Sequence, residues 1–259
     1  MAYFQPMTGD VWAAGDAYEA YVGRWSRRVA PLFVEWLGVP AGRRWLDAGC
    51  GTGALTAAIM ASGPADVIGL DPSQGFLRSA LDATRVAGDA AALPLRDGAF
   101  DVVVSGLALN FVPDPARAVA EFTRVAAPGA IIAAYVWDYA DGMQMMRHFW
   151  DVAAAPNRDE SRKFPICREE ALRRAWSDAG LDDVRTRAIE IPTIFASFDD
   201  YWTPFLGATG PAPAYLASLD DAERRRIRDD LRRRLPTTET GEIALTASAW
   251  AVQGRKTAG

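Results

Sequence analysis

A chain of 259 residues, 50% hydrophobic and 24% charged, carries enough apolar material for a sizeable core and lacks the bias of a disordered or fibrous chain. Its 33 acids outnumber 28 lysines and arginines, and the formal net charge of −5 excludes a general attraction for nucleic acid or anionic lipid. Two cysteines and one histidine exclude a zinc-type ligand set, so no metal is expected, and such sparse cysteine points to a reducing, cytoplasmic setting.

The start, "MAYFQPMTGD", has neither the basic residues nor the apolar run of a signal peptide. No stretch approaches the roughly 18–20 apolar residues of a membrane span. Tyr18, Tyr21, Val22, Trp25 and Val29 recur at helical spacing and predict a helix over 16–37, broken or kinked at Pro31. After Gly38 and Pro40, "RRWLD" (43–47) reads as a short strand, and Gly53 opens a helix with Leu55, Ala58 and Ile59 on one face. A strand "DVIGLD" (66–71) is followed by Ser73 as the N-cap of a helix over 73–82, then by a strand "TRVAGD" (84–89).

"FDVVVSG" (100–106) is nearly continuously apolar, as a parallel strand buried on both faces must be. Asp114 and Pro115 form an N-cap and N1 pair for a helix that turns Val119, Phe122, Val125 and Ala126 inward. "PGA" then turns into a strand over 131–137. Helices are predicted over 143–153 and 168–179, and strands over 183–195 and 242–250. The first of these two strands slips in alternation near Ala188, where a bulge is expected, and carries Pro192, which suits a sheet edge or a strand end. The alternating order implies an α/β, doubly wound, mostly parallel seven-stranded sheet closed by an antiparallel strand pair at its C-terminal edge.

The first strand ends at Asp47, and "WLDAGCGTG" (45–53) places glycines at 49, 51 and 53 just beyond it. Ligands of open α/β sheets bind at the carboxyl ends of strands. Glycines there can adopt positive φ and present no Cβ to block close approach of a ligand to the backbone. Gly49-x-Gly51-x-x-Ala54 by itself also fits a dinucleotide fingerprint.

Asp47-Ala48-Gly49-Cys50-Gly51-Thr52-Gly53 resembles the DxGxGxG loop of class I S-adenosylmethionine (SAM)-dependent methyltransferases. Asp71 in "IGLDPS", followed by Pro72 and Ser73, is similar to the family's acid that binds both ribose hydroxyls. Asp89 in "AGDAAALPL" resembles the acid that meets the adenine amino group, with Ala90 contributing backbone. "FDVVVSGLALNFVPDP" resembles the fourth strand and the loop flanking the methionine end of the cofactor, which brings in Ser105; "RVAAPGAIIAAYVW" resembles the next helix, turn and strand. The match runs in order over about residues 43–137, and more loosely over 16–42 and the closing strand pair. It departs from many relatives at Asn110, where they carry histidine, and at Ala127 and Ala130, where they carry leucine and a second glycine.

The resemblance implies a Rossmann-like SAM-dependent methyltransferase domain over 1–259, with a core over about 40–138 and helical lid segments over about 10–38, 139–165 and 196–240. In similar enzymes the first helix lies over the cofactor, so Tyr21 and Arg24, three residues apart, are candidates for its carboxylate; packing of the aromatic residue and solvation of the arginine are the alternatives. Asn110, Phe111, Tyr139, Phe149 and Trp202 are candidates for a small, partly apolar substrate's pocket, against ordinary helix packing. His148, the only histidine, is a weak candidate for a general base. Methyl transfer needs little acid–base equipment, because a sulfonium is already a good leaving group.

The seven arginines of "DDAERRRIRDDLRRRL" (220–235) alternate with acids beside a stripe of Ile227, Leu231 and Leu235, the pattern of a solvated amphipathic helix. A small-molecule acceptor is therefore expected, with neither nucleic acid nor membrane as partner. An RNA or protein acceptor, a catalytically idle SAM-binding protein and a NAD oxidoreductase are the alternatives.

Overall fold

The computed structural model describes residues 19–79, 83–207 and 210–258; Tyr18 and the predicted helical residues 16–18 and 80–82 lie outside them. Seven strands form one sheet: β1 (Arg44–Ala48), β2 (Asp66–Asp71), β3 (Thr84–Ala87), β4 (Phe100–Gly106), β5 (Ala126–Trp137), β6 (Asp182–Phe195) and β7 (Ile243–Arg255). Their order is β3-β2-β1-β4-β5-β7-β6. β1 to β5 pair in parallel, and β7 is antiparallel to both β5 and β6. This is the doubly wound sheet with an antiparallel edge that the alternation of elements implies. β4 and β5 are buried along almost their whole length, as central strands are, whereas β6 alternates buried and exposed from Ile189 onward.

The helices are α1 (Arg24–Leu37), α2 (Ala54–Ala61), α3 (Gln74–Ser79), α4 (Pro115–Val125), α5 (Gln144–Ala153), α6 (Glu160–Lys163), α7 (Glu169–Asp178), α8 (Phe198–Trp202), α9 (Pro211–Ala217) and α10 (Asp221–Arg234). α1 packs on α2 and reaches β6, while α4 packs on β4, β5 and α7. Ile227, Leu231 and Leu235 are buried as the stripe requires, and acids pair with the arginines of α10 along its exposed side. Among the described residues no helix is long and apolar enough to cross a membrane.

Three local expectations are corrected. Pro31 neither breaks nor ends α1, which runs through it; the irregularity comes earlier, as a π-helical turn over Glu19–Gly23. Pro31 lies on the exposed side, while Trp25, Val29, Ala30, Phe33 and Leu37 are buried. The ring thus removes one hydrogen bond without disturbing the packed stripe. The β6 bulge is not at Ala188, which pairs in register with Trp250; the register shifts between Asp182 and Arg185, where Asp183 has φ 51°. The slip at Ala188 reflects partial exposure of an edge strand rather than an extra residue. β7 extends to Arg255, and Pro192 sits on the edge strand, its carbonyl accepting from the Arg28 guanidinium at 3.0 Å on the side away from β7.

Candidate active site

The strand order reverses between β1 and β4, so a crevice opens at their carboxyl ends. The loop after β1 occupies it. Gly49, Gly51 and Gly53 have φ of 83°, 52° and 91°, which accounts for glycine at every second position. The loop is pinned to β2. The Gly49 and Cys50 amides both donate to the Leu70 carbonyl, at 2.7 and 3.0 Å, and the Gly51 amide donates to one Asp71 carboxylate oxygen at 2.9 Å. The other Asp71 oxygen accepts from the Ser73 amide at 2.8 Å. A Cβ on Gly49 would lie 2.4 Å from the Cβ of Ala108, so the two loops touch there; a Cβ on Gly51 would meet no protein atom within 4 Å.

A cavity of about 340 Å³ lies over this loop, within the range of small-molecule sites. It brings together Ala48, Gly49, Cys50 and Gly51 with Asp71 and Pro72, and adds Asp89 and Ala90 after β3 and Ser105 at the end of β4. Asp47, Gly53 and Ser73 stand behind it. Asp47 is fully buried and accepts from the Thr56 hydroxyl at 2.7 Å; Gly53 is the N-cap of α2; the Ser73 hydroxyl accepts from the Phe76 amide at 3.3 Å. Asp89 is exposed and turns one oxygen back onto the Ala91 amide at 2.8 Å.

Two expected cofactor residues are not brought to this cavity. The Arg24 guanidinium pairs with Asp200 at 2.8 Å and lies 4.4 Å from the Trp25 ring and 4.8 Å from that of Phe195. The Tyr21 hydroxyl donates to the Met146 sulfur at 2.9 Å. α1 instead presents Ser26 to the cavity. Ser26 lies about 200° round the helix from Arg24, so a face chosen for Arg24 could not include it. Phe76 and Tyr135, also not anticipated, complete the wall.

On the substrate side the expected residues divide. Phe149 is fully buried and stacked on Phe205 with centroids 4.7 Å apart, and Trp202 packs on Phe198 and Phe205; both are core. His148 lines neither this cavity nor the smaller one beside it, and burial lowers its pKa. Asn110 is buried on a short 3-10 turn, with an amide nitrogen that meets no protein acceptor. Phe111 lines the large cavity and, with Leu107, also a second one of about 30 Å³. Tyr21 and Tyr139 line that smaller cavity, together with Glu160, which spacing could not single out because α6 is one turn long.

Two carboxyls here titrate far from the ordinary range. Burial pushes Asp47 up to about 7, opposed by the Thr56 hydrogen bond and assisted by the Asp71 charge. Burial likewise pushes Glu160 up to about 7, opposed by its own amide and the Trp150 indole and assisted by Asp159. Because the folded pKa exceeds the unfolded one, the folded state binds more protons between about pH 4 and 7, and stability falls as pH rises through that window. Glu160→Gln stays neutral throughout. Between pH 5 and 8 the parent is therefore expected to lose about 2.5 kcal/mol relative to this variant, at about 1.4 kcal/mol per pKa unit. Urea unfolding at the two pH values measures it; parallel losses would show that Glu160 titrates normally.

Residues 46–134 match a family model described as a methyltransferase domain. The chain is 38% identical over 127 residues to a demethylmenaquinone methyltransferase of Renibacterium salmoninarum, covering 48% of this chain and 49% of that protein. It thus spans about half the length of that curated relative. To the demethylmenaquinone methyltransferase of Staphylococcus aureus it is 30% identical over 188 residues, 63% of this chain and 76% of that one. Its fold is similar to that of Haemonchus contortus phosphoethanolamine N-methyltransferase 2, a structure in complex with phosphomonomethylethanolamine and S-adenosylhomocysteine. The TM-score is 0.57 at 15% identity, covering 93% of this chain and 56% of that chain.

Proposed function

The chain belongs to the class I SAM-dependent methyltransferases, and from that premise we propose that it binds SAM in the 340 Å³ cavity and methylates a small molecule by in-line displacement. The observation that carries this is a convergence on one crevice: three positive-φ glycines, Asp71 tied to their loop, and Asp89 on the same cavity wall. These residues fit an adenosyl amino acid. Asp71 would hold the ribose hydroxyls, Asp89 and the Ala90 backbone the adenine edge, and Ser105 and Ser26 would flank the methionine end. Gly51, with open space where a Cβ would be, lets the main chain reach the ligand.

When bound, the cofactor supplies a methyl group on a sulfonium, which needs no acid to make it leave. What remains for the chain is to orient an acceptor in line with the methyl and to keep water away. The buried wall of Leu107 and Tyr135 serves the second need. A small acceptor is supported by the modest volume of the adjoining space and by relatives named for methylating demethylmenaquinone, a small molecule. The arginines of α10 pair with its own acids and with Asp199, which leaves little net attraction for RNA.

Calorimetry with S-adenosylhomocysteine tests the cofactor, and transfer of labelled methyl from SAM to metabolite, RNA and protein pools tests the acceptor. Binding with label in the metabolite pool is expected. A folded protein that does not bind S-adenosylhomocysteine would remove the whole reading, and label in RNA or protein would remove the small-molecule part.

A further inference from the structure

One ring stands where the two cavities meet. Phe111 lines both the 340 Å³ cavity and the 30 Å³ cavity beside it. It is 42% exposed, although Leu109 and Asn110, on the same 3-10 turn, are buried. The turn is firmly set. Leu107, whose amide donates to the Tyr135 carbonyl at 2.8 Å, takes φ 56° and turns the chain out of β4. Leucine rarely adopts that left-handed conformation, and the surrounding contacts hold it there. The Phe111 amide then closes the turn on the Ala108 carbonyl at 2.9 Å. Ala108 is also the residue on which Gly49 packs too closely for a Cβ. The ring is thereby carried at a fixed place relative to the glycine loop.

Two further rings back it. Phe164 meets Phe111 nearly edge to face, with centroids 5.3 Å apart and planes at 76°, and Phe164 in turn packs on Tyr139 at 5.8 Å. The three rings come from separate segments: the loop after β4, the end of α6 and the turn after β5. The smaller cavity has room for a water or two and not for a ring. Phe164 and Tyr139 are thus support, and Phe111 is the ring whose surface reaches the mouth. Among the described residues neither cavity is lined by lysine, arginine or histidine, and the large one carries Asp71 and Asp89. Lys163 stands 6.0 Å from the Phe164 ring but lines neither cavity. Such walls repel a carboxylate or phosphate and offer a neutral ligand apolar surface.

We propose that Phe111 selects the acceptor: an uncharged aromatic ring packs against it at the mouth of the cofactor cavity. The inference rests on the methyltransferase reading and adds a substrate class and the residue that recognises it. Aromatic pairs in offset-stacked or edge-to-face geometry gain beyond the area they bury. A saturated ring of equal size buries similar area without that gain. Phe111 is a specificity-determining residue and takes no part in bond making. Because the turn that carries it also touches the glycine loop, an acceptor held on this ring is held relative to the cofactor. That fixed proximity is what methyl transfer asks of the chain.

The test is a titration of the S-adenosylhomocysteine-saturated protein with benzyl alcohol, cyclohexylmethanol and benzoate, read by ligand-observed NMR. Benzyl alcohol is expected to bind about three- to ten-fold more tightly than cyclohexylmethanol, the size of one aromatic pair. Benzoate should bind more weakly than benzyl alcohol. Phe111→Leu keeps apolar bulk and should abolish the aromatic preference, whereas Phe111→Tyr keeps the ring and should retain it. The position is exposed, so both variants should fold, and circular dichroism checks this. Equal binding of the two alcohols, binding of neither, or tightest binding of benzoate overturns the proposal. So does an aromatic preference that survives in Phe111→Leu, since another ring would then recognise the acceptor. S-adenosylhomocysteine binding without an aromatic preference sinks this inference only, whereas failure of the parent to bind S-adenosylhomocysteine sinks the methyltransferase function beneath it.

Discussion

Asp71→Ala is expected to lower affinity for S-adenosylhomocysteine at least about 100-fold while the protein remains folded. Asp71 ends β2 with a carboxylate whose two oxygens are held by different amides, Gly51 at 2.9 Å and Ser73 at 2.8 Å. The first bond ties the glycine loop to the strand; the second ties the carboxylate to the residue before α3. On the proposed function the same oxygens meet the ribose hydroxyls. Hydrogen bonds to a charged group contribute about 1.5–3 kcal/mol each, so losing two toward the ligand gives about 3 kcal/mol or more, which is a factor of 100 or more. The Gly51 and Ser73 amides lose their acceptor, but the loop keeps its two amide bonds to Leu70 and β2 keeps its ladder to β1 and β3, so the protein stays folded. Asp71→Asn retains one carbonyl acceptor and should lose less. Calorimetry measures both, with circular dichroism to confirm folding. Unchanged affinity in Asp71→Ala would mean that the sugar is held elsewhere.

The parts of this molecule legible in the sequence are those dictated by local pattern. "DVIGLD" and "FDVVVSG" are strands with the very bounds their apolar runs suggest, because a strand buried between neighbours needs continuous apolar residues whatever covers it. Asp114 and Pro115 begin α4 as expected, the carboxylate accepting from the Arg117 amide at 3.0 Å. What was not legible depends on partners far along the chain. Helical spacing shows that one face of α5 is buried, but not whether it meets a ligand or a core; for Phe149 it is Phe205 and Tyr215. Arg24 is drawn from the cofactor side by Asp200, 176 residues away. Glu160 lies in a helix too short for periodicity, and only the tertiary fold sets it among five rings.

Two glycines in one loop are expected to fail in different ways when each becomes alanine. At Gly49 the new methyl would stand 2.4 Å from the Ala108 Cβ on a backbone at φ 83°. The left-handed backbone costs about 1–2 kcal/mol and overpacking about 1–3 kcal/mol. At about 2–4 °C per kcal/mol for a chain of this order of size, the melting temperature should fall by roughly 5–15 °C. At Gly51 the φ of 52° is close to the left-handed region a side chain tolerates, and no protein atom lies within 4 Å of the added methyl. Gly51→Ala should therefore melt within about 3 °C of the parent, for a cost near 1 kcal/mol. Its methyl, however, occupies space the ligand needs, and affinity for S-adenosylhomocysteine should drop about ten-fold or more, as for a misplaced methyl in a close-packed contact. Scanning calorimetry and titration of both variants separate the two effects. A Gly51→Ala protein that binds like the parent would show that the ligand does not rest on this stretch of main chain, and a Gly49→Ala protein as stable as the parent would show that the loops after β1 and β4 do not touch. Since Gly49 sets where the loop stands and Gly51 what it can touch, the opposed outcomes would establish that one backbone conformation underlies both the fold of the crevice and its chemistry.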